Sequence, residues 1–358
     1  MSFAPADSSA PARTFRTGPD GTFRMTDLPA RDYRVEANRW FDDAERSQLT
    51  GADDAIGFVG ATLLTVAADT RTLTITLPTS RRQSVVISEW SFNDGFSTNL
   101  SYSFGGYFEL YNNSDTTVFL DGMTLGRAVS YDIDLASASC AVTAQYSNDP
   151  AGIWTLYYQR FPGSGRDYPL PPGASTVVAT DAIDHRSLYH AGLDLRGANF
   201  EYRGTIDADN PTVPDMVPSG FGTDPGGHGL FFSPLGVVGF LTLPVDEASL
   251  TTTRYLGTGA TFHPRMPANK VLDIISLRTT ATGGRQECPL TVHPSFDRQR
   301  SSGRGTDERA EAFRSLERKP SPIRSGGRII LQHTRNSSVD FFRGNRTVGV
   351  VSGAAEIR

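Results

Sequence analysis

Apolar side chains recur mainly at every second position of this chain, in short runs that turn-forming residues separate. Residues 33–38 alternate apolar with charged or polar side chains, and residues 72–77 alternate threonine with leucine or isoleucine. A period of two places successive side chains on opposite faces of a β-strand. Both runs are therefore predicted strands of a first unit that ends near residue 80.

Further short apolar runs predict many strands and few helices in the rest of the chain. The predicted strands are 85–90, 107–111, 117–120, 154–158, 176–179, 237–243, 271–277 and 329–331. Residues 306–319 also fit a helical period, but residues 315–318 are interpreted as a closing strand. This pattern predicts an all-β fold, a sandwich with long inserted loops.

Length and composition add a domain division and exclude some classes of function. The 358 residues include 35 glycines and 22 prolines, which suits many tight turns, and predict two modules, residues 1–80 and 81–358. The net charge of −5 gives no bulk field for nucleic acid. The most apolar stretch, residues 229–245, contains prolines and is shorter than the ~20 residues of a membrane helix, so no transmembrane segment is predicted.

The first unit resembles the carboxypeptidase regulatory-like, or prealbumin-like, domain. The residues that carry this resemblance are Gly21, Phe23, Leu28, Pro29, Tyr33 and Val35. Arg31 and Asp32 stand where that family usually has a glycine before the tyrosine. Members usually begin one or two strands earlier, so the resemblance implies an incomplete N-terminus that lacks a first strand and a signal peptide.

The second unit resembles the lamin-tail domain, which has an immunoglobulin-like sandwich fold. Four landmarks occur in that family's order: residues 85–89, then 108–112 with 120–125, then 170–173 with 177–179, and finally 271–273 with 315–318. The segment between Asp181 and Met266, here called the inserted segment, is much longer than the loops of ordinary members.

Such an enlarged domain behind a regulatory-like module resembles a bacterial surface-protein family of unknown function. Members occur among envelope lipoproteins, and some are encoded near outer-membrane receptors. The resemblance implies a cell-envelope or extracellular location. It also implies an outer-membrane receptor or another surface protein as partner, and it brings no catalytic activity with it.

Candidate catalytic residues are few. The motifs GxSxG, GxGxxG, HExxH and the P-loop are absent from the sequence. Asp181, Asp184, His185 and His190 form the densest polar cluster with histidine. They suit either an acid–base or metal site, or a solvated loop in which Asp184 caps the next turn, and we favour the loop. Glu89 and Glu109 are interpreted as structural residues and not as a catalytic pair, so no catalytic residue is predicted.

Asp207, Asp209 and Asp215 are the candidate metal ligands, with calcium as the ion. The sequence does not complete an EF-hand, because the later glycine and glutamate are missing. The alternative is a turn rich in Asp and Asn before Pro211. No other cofactor is predicted.

Two further features leave alternatives open. Cys140 and Cys288 could form a disulfide or remain two buried thiols. The arginine-rich stretch 298–346 also contains acidic residues, which favours a solvated, salt-bridged surface over nucleic-acid binding.

The sequence thus predicts a non-enzymatic envelope or secreted protein for binding or assembly, with an unknown ligand. The alternatives are an accessory region of a secreted hydrolase and a calcium-stabilised adhesive module. The oligomeric state is left open.

Overall fold

The structure is a computed structural model that describes the chain apart from twelve short segments. The described residues are 1–6, 9–48, 55–67, 72–91, 105–129, 146–188, 192–204, 209–221, 238–254, 262–277, 292–299 and 314–349. The chain divides into two compact units, Met1–Arg82 and Gln83–Arg358. Strands dominate both units, which confirms the predicted all-β class.

The first unit is a five-stranded antiparallel sheet. Its strands are β1 (Ser2–Pro5), β2 (Arg13–Thr14), β3 (Asp32–Trp40), β4 (Ala55–Thr65) and β5 (Thr79–Arg81), in the order β2-β1-β3-β4-β5, and the helix α1 (Asp43–Gln48) follows β3. The alternation predicted for β3 is confirmed, since Tyr33, Val35 and Ala37 are buried. The two strands before the Asp20–Gly21 turn were not predicted.

The strand predicted over residues 72–77 is wrong. Leu73 and Ile75 pack partly buried against Phe3, Tyr33 and Val35, but this run does not pair as a strand. Alternation indicates which side chains face a core. An extended segment also places alternate side chains on one side, even when it forms no hydrogen-bonded ladder with a neighbouring strand.

The second unit contains two large sheets. The first, sheet A, has the order β16-β17-β10-β9-β15-β18, with β14 paired to β10, and the second, sheet B, has the order β13-β12-β7-β6-β19-β22. The strands are β6 (Val85–Ser91), β7 (Tyr107–Asn112), β8 (Val118–Phe119), β9 (Thr124–Ala128), β10 (Gly152–Arg160), β11 (Pro169–Leu170), β12 (Ser175–Ala179), β13 (Phe200–Glu201), β14 (Val217–Pro218), β15 (Val238–Thr242), β16 (Thr252–Arg254), β17 (Phe262–Pro267), β18 (Val271–Ser276), β19 (Arg314–Arg318), β20 (Pro320–Ser325), β21 (Arg328–Leu331) and β22 (Phe341–Asn345). The strands β8 and β11, and β20 and β21, form two small ladders.

Helices in this unit are short. In the described ranges they include three 3₁₀ turns, His185–Ser187, Glu247–Ser249 and Ala268–Lys270, and the single-turn helix α2 (Ser337–Asp340). None of the helices in the described ranges is long and apolar enough to cross a membrane.

The main core lies between sheets A and B. Trp90 and Phe108 of sheet B stack with ring centroids 5.0 Å apart, and Leu125, Leu241 and Ile275 of sheet A belong to the same buried cluster. Each of the eight strands predicted for this unit overlaps an observed strand, and the closing strand at 315–318 is confirmed as part of β19.

Arg318 corrects the interpretation of the arginine-rich stretch as solvated surface. Its side chain is fully buried and forms an ion pair with Asp273, whereas Arg314 in the same strand is exposed. Strand alternation does not separate these two residues, because both β19 positions share one parity, so burial here depends on the position along the strand.

Candidate functional sites: two groups of buried carboxylates

Three glutamates form a row across neighbouring strands of sheet B. Glu89 on β6 lies opposite Glu109 on β7 and opposite Glu317 on β19. Directly opposed residues in adjacent strands project from the same face of a sheet. All three residues are buried, so three acidic groups share a region with little water. We call this set the glutamate row.

Residues near position 347 form hydrogen bonds to the carboxylates of the glutamate row. The backbone N–H and the hydroxyl of Thr347 donate to the two carboxylate oxygens of Glu89, over 3.1 and 3.2 Å. The hydroxyl of Ser88 donates to Oε1 of Glu109 over 2.9 Å, and the backbone of Gly349 also bonds this carboxylate. The row is therefore closed off by its own chain.

Burial favours the protonated forms of Glu89 and Glu109. Burial, together with the charge of Glu89 and against the hydrogen bond from Ser88, raises the pKa of Glu109 to about 7. Burial also raises the pKa of Glu89. A group with a pKa near 7 can exchange a proton at neutral pH, but Glu109 has no exposed surface through which a substrate could reach it. This favours a structural role for Glu89 and Glu109.

The inserted segment begins directly after β12 with the polar cluster noted in the sequence. Asp184 caps the 3₁₀ turn His185–Ser187 by accepting a hydrogen bond from the backbone N–H of Arg186 over 3.1 Å, which confirms the predicted cap. The solvated-loop interpretation is wrong for His185 and Asp181, because both are buried. Nε2 of His185 lies 2.8 Å from the carbonyl oxygen of Asp181. His190 lies outside the described residues.

The neutral form of His185 is favoured by its surroundings. Burial lowers the pKa of this imidazole. The hydrogen bond to the backbone of Asp181 raises the pKa, but by less than burial lowers it. Sequence reasoning missed its burial, since a histidine among aspartates usually indicates a solvated loop.

The predicted metal ligands lie farther along the inserted segment. Asp209 is exposed and Asp215 is half-buried, with Nε of Arg203 3.9 Å from an Asp215 carboxylate oxygen. Asp207 lies outside the described residues. The turn before Thr212 also forms, because Oδ1 of Asn210 accepts hydrogen bonds from the Thr212 backbone over 3.1 Å and from its hydroxyl over 2.8 Å.

Glu201 joins this group, although no local sequence pattern indicates it. It is 2% exposed and pairs with Asp215 in an isolated parallel bridge. Burial, together with the negative charges of Asp181 and Asp209 and against backbone hydrogen bonds from Asn210 and Ala182, raises its pKa to about 8. Asp181, Glu201, Asp209 and Asp215 therefore gather at one place, here called the acidic cluster.

Within the described ranges, no three acidic, histidine or cysteine side chains already stand in the arrangement of a metal site. Cys140 and Cys288 lie outside those ranges, so their pairing stays a prediction. Glu201 was missed because its strand, β13, has only two residues and no periodicity to detect.

Comparisons with known proteins identify the fold. No family model and no curated protein matches the sequence. A crystal structure of a DUF4876 family protein from Bacteroides thetaiotaomicron matches with a TM-score of 0.59 and 18% identity, over 99% of this chain and 92% of that one. At this identity the likeness concerns the fold alone. The chain thus shares the β-rich fold of a bacterial protein whose function is unknown.

Proposed function

We propose that the protein is a non-enzymatic binding or assembly protein of the bacterial cell envelope or its exterior. The observation that carries this proposal is the packing of described parts of the inserted segment against the sandwich. Ala182, Leu195 and Val213 of this segment pack in a buried cluster with Tyr107 and Val177 of sheet B. Loops fixed on a rigid sandwich are a common place for ligand contacts.

The outer side of the inserted segment presents charged side chains in a fixed arrangement. Arg186 contacts Asp184 and Asp194 over 2.6 and 2.9 Å, and Arg196 contacts Asp194 over 2.6 Å. Leu188, next to this network in sequence, is 53% exposed. We call these five residues the arginine patch. Arginine is enriched at protein interfaces because its planar donors pair with carboxylates and carbonyls.

The arginine patch suits a folded protein partner better than a polyanion. It contains two aspartates for its two arginines, so its local charge is balanced and long-range attraction to phosphates is weak. A surface with balanced charge and one exposed apolar side chain is typical of the polar rim of a protein interface. An outer-membrane receptor or another surface protein is the partner that we propose.

We also propose a family relationship for each of the two units. The landmark segments 85–89, 108–112, 177–179 and 315–318 lie in β6, β7, β12 and β19, which are consecutive neighbours in sheet B. This order supports a lamin-tail-like sandwich for the second unit. For the first unit, a five-stranded antiparallel sheet, we propose a carboxypeptidase regulatory-like module that acts as a spacer.

Retention of a partner from the envelope of the source bacterium tests the binding proposal. The full chain is immobilised, incubated with a solubilised envelope fraction and analysed by crosslinking and mass spectrometry. The double variant Arg186→Ala/Arg196→Ala is expected to lower retention of the partner at least ~10-fold, since truncating interface arginines commonly costs over 1 kcal/mol each.

The matched control is the double variant Arg34→Ala/Arg39→Ala, which removes two ion-paired arginines from the first unit. It is expected to retain the partner as the unchanged protein does. Equal retention by the arginine-patch variant, or no retained surface protein at all, would contradict the proposal.

A further inference from the structure

Glu201 is held in place by backbone pairing on both sides of β13. Its N–H donates to the carbonyl of Pro214 over 3.0 Å, and the N–H of Met216 donates to its carbonyl over 2.7 Å. Glu201 and Asp215 are bridge partners, and Glu201 is also paired with Ala179 of β12. Bridge partners project their side chains from the same side, so the carboxylates of Glu201 and Asp215 are neighbours.

Two other segments of the chain contact the carboxylate of Glu201. The backbone at Ala182 and the backbone at Asn210 both form hydrogen bonds to Glu201, and Nδ2 of Asn210 donates to the carbonyl of Ala182 over 2.7 Å. Asp181 and Asp209 immediately precede these two positions. Three acidic residues from separate parts of the inserted segment, Asp181, Asp209 and Asp215, therefore lie near Glu201.

The second oxygen of Glu201 is a separate indication of a ligand. Oε2 is buried and has no hydrogen-bond partner among the described residues, although the residue is 98% shielded from solvent. A buried carboxylate oxygen without a donor costs free energy, so proteins usually provide a donor or a cation for it. Here the neighbouring groups are acidic, and they add repulsion instead.

We propose that the acidic cluster binds a divalent cation of the calcium class, with Glu201 as the inner ligand. The available ligand atoms are carboxylate oxygens, with backbone carbonyls nearby, and this is the ligand set that Ca²⁺ prefers. Calcium accepts six to eight oxygens in variable geometry, which suits ligands from three chain segments better than the strict octahedron of Mg²⁺. The exposed Asp209 and half-buried Asp215 turn toward Glu201 on binding, since the described side chains do not yet converge.

Calcium titration of the full chain tests this proposal. After treatment with a chelator, the protein is titrated with CaCl₂ by isothermal calorimetry, and its melting temperature is measured with and without about 10 mM Ca²⁺. Extracellular calcium modules bind with dissociation constants of about 10⁻⁴–10⁻³ M. Binding to the folded state alone at 10 to 100 times that constant raises the melting temperature by roughly 5 °C.

The variant Glu201→Gln keeps the size of the side chain and removes its charge. We expect its affinity for Ca²⁺ to fall at least ~10-fold and its calcium-dependent rise in melting temperature to disappear. The matched control is Glu109→Gln, which changes another buried glutamate with a raised pKa in the same unit. It is expected to keep the full calcium response, and near-ultraviolet circular dichroism verifies that both variants fold.

Two results overturn the proposal: no calcium-dependent change in the unchanged protein, or a response of Glu201→Gln equal to that of Glu109→Gln. These results are independent of partner binding, because the calcium titration uses the protein alone. The arginine-patch variant is expected to bind calcium normally. The two proposals can therefore fail separately.

Discussion

Arg318 of β19 and Asp273 of β18 form a buried ion pair that joins the two sheets of the sandwich. Nη2 of Arg318 lies 2.5 Å from Oδ2 of Asp273, and neither side chain is more than 2% exposed. The guanidinium also donates to the carbonyls of Ile87 and Gln332 over 2.8 and 2.9 Å. The same Asp273 oxygen accepts the backbone N–H of Ile87 over 2.7 Å. One charge pair thereby connects sheet A to the centre of sheet B.

Removal of the carboxylate is expected to destabilise the second unit strongly. Asp273→Ala removes the nearer of the two carboxylates beside the buried guanidinium of Arg318, leaving Asp340 at 3.6 Å, and it leaves the N–H of Ile87 without its acceptor. Breaking a buried pair in this way costs about 3–5 kcal/mol. Urea unfolding monitored by tryptophan fluorescence measures the loss in free energy of unfolding.

The double variant Asp273→Leu/Arg318→Met removes both charges but keeps similar side-chain volumes, so it distinguishes the loss of the ion pair from a loss of packing. Replacing both partners with apolar residues of similar volume is often neutral or stabilising, so we expect it to recover part of the loss. The rest remains because the N–H of Ile87 and the carboxylate of Asp340 still lack these partners. The surface variant Glu36→Ala, which breaks a partly exposed ion pair with Arg34, should change stability by less than about 1 kcal/mol. A loss below about 1 kcal/mol for Asp273→Ala would show that the pair adds little.

Much of the strand content could be predicted because sheet strands bury one face and expose the other. Residues 33–38 follow that rule, and β3 forms there. Longer buried runs such as β6 were recognised by their apolar and β-branched residues. The two-residue strands β13 and β14 offer no such pattern, since two residues are too few for a period.

The buried polar groups could not be predicted from local sequence. Arg318 and Asp273 are 45 residues apart, and the sequence around Arg318 resembles a solvated charged strand. Glu201 occurs in a loop-like stretch, and only the pairing of β13 with β12 and with Asp215 brings it to the acidic cluster. Contacts of this kind are decided by tertiary packing, which a local pattern does not contain.

The glutamate row predicts that the second unit loses stability as the pH rises. The pKa of Glu109 is about 7 in the folded protein against an ordinary value of 4.5, chiefly because of burial. The folded state thus binds a proton more tightly than the unfolded state. This contribution to stability is complete below pH 4.5 and disappears as the pH rises through 7, by about 3 kcal/mol in total.

Glu109→Gln removes this titration without changing the side chain's shape. Between pH 5 and pH 8 we expect the variant to lose about 2.5 kcal/mol less in free energy of unfolding than the unchanged protein. Urea unfolding at several pH values measures the difference. Glu45→Gln, a change on the exposed helix α1, serves as the control and should leave the pH dependence as it is. Parallel curves for the unchanged protein and Glu109→Gln would contradict the prediction.

Asp121 organises the loop between β10 and β11 through three backbone hydrogen bonds. Its carboxylate accepts the N–H groups of Gly165, Asp167 and Tyr168 over 2.9, 2.8 and 3.0 Å. Burial raises the pKa of Asp121, but these three donors outweigh it and the pKa lies below its ordinary value. This stabilisation is therefore present above about pH 4 and is lost as the pH falls through the lower, folded-state pKa.

Asp121→Ala should open this loop. Loss of hydrogen bonds to a charged acceptor costs about 2–3 kcal/mol, and we expect faster tryptic cleavage after Arg166, which lies within the loop. Mass spectrometry of the digest follows that one cut. Asp246→Ala removes a carboxylate that caps an exposed 3₁₀ turn, so it should leave cleavage after Arg166 unchanged. Equal cleavage in both variants would mean that Asp121 does not hold the loop.

Gly126 is expected to be intolerant of even a methyl group. It lies in β9 between β10 and β15, and a Cβ at this position would overlap the ring of Phe240 and the Cβ of Tyr158 and would lie 2.7 Å from the carbonyl oxygen of Tyr157. Those neighbours belong to paired strands and cannot all shift, so Gly126→Ala should cost about 1–3 kcal/mol by overpacking. Gly197→Ala is the matched control, because a Cβ there meets nothing within 4 Å. Thermal unfolding that gives both variants the same melting temperature would show that sheet A can widen at Gly126 to admit the methyl group.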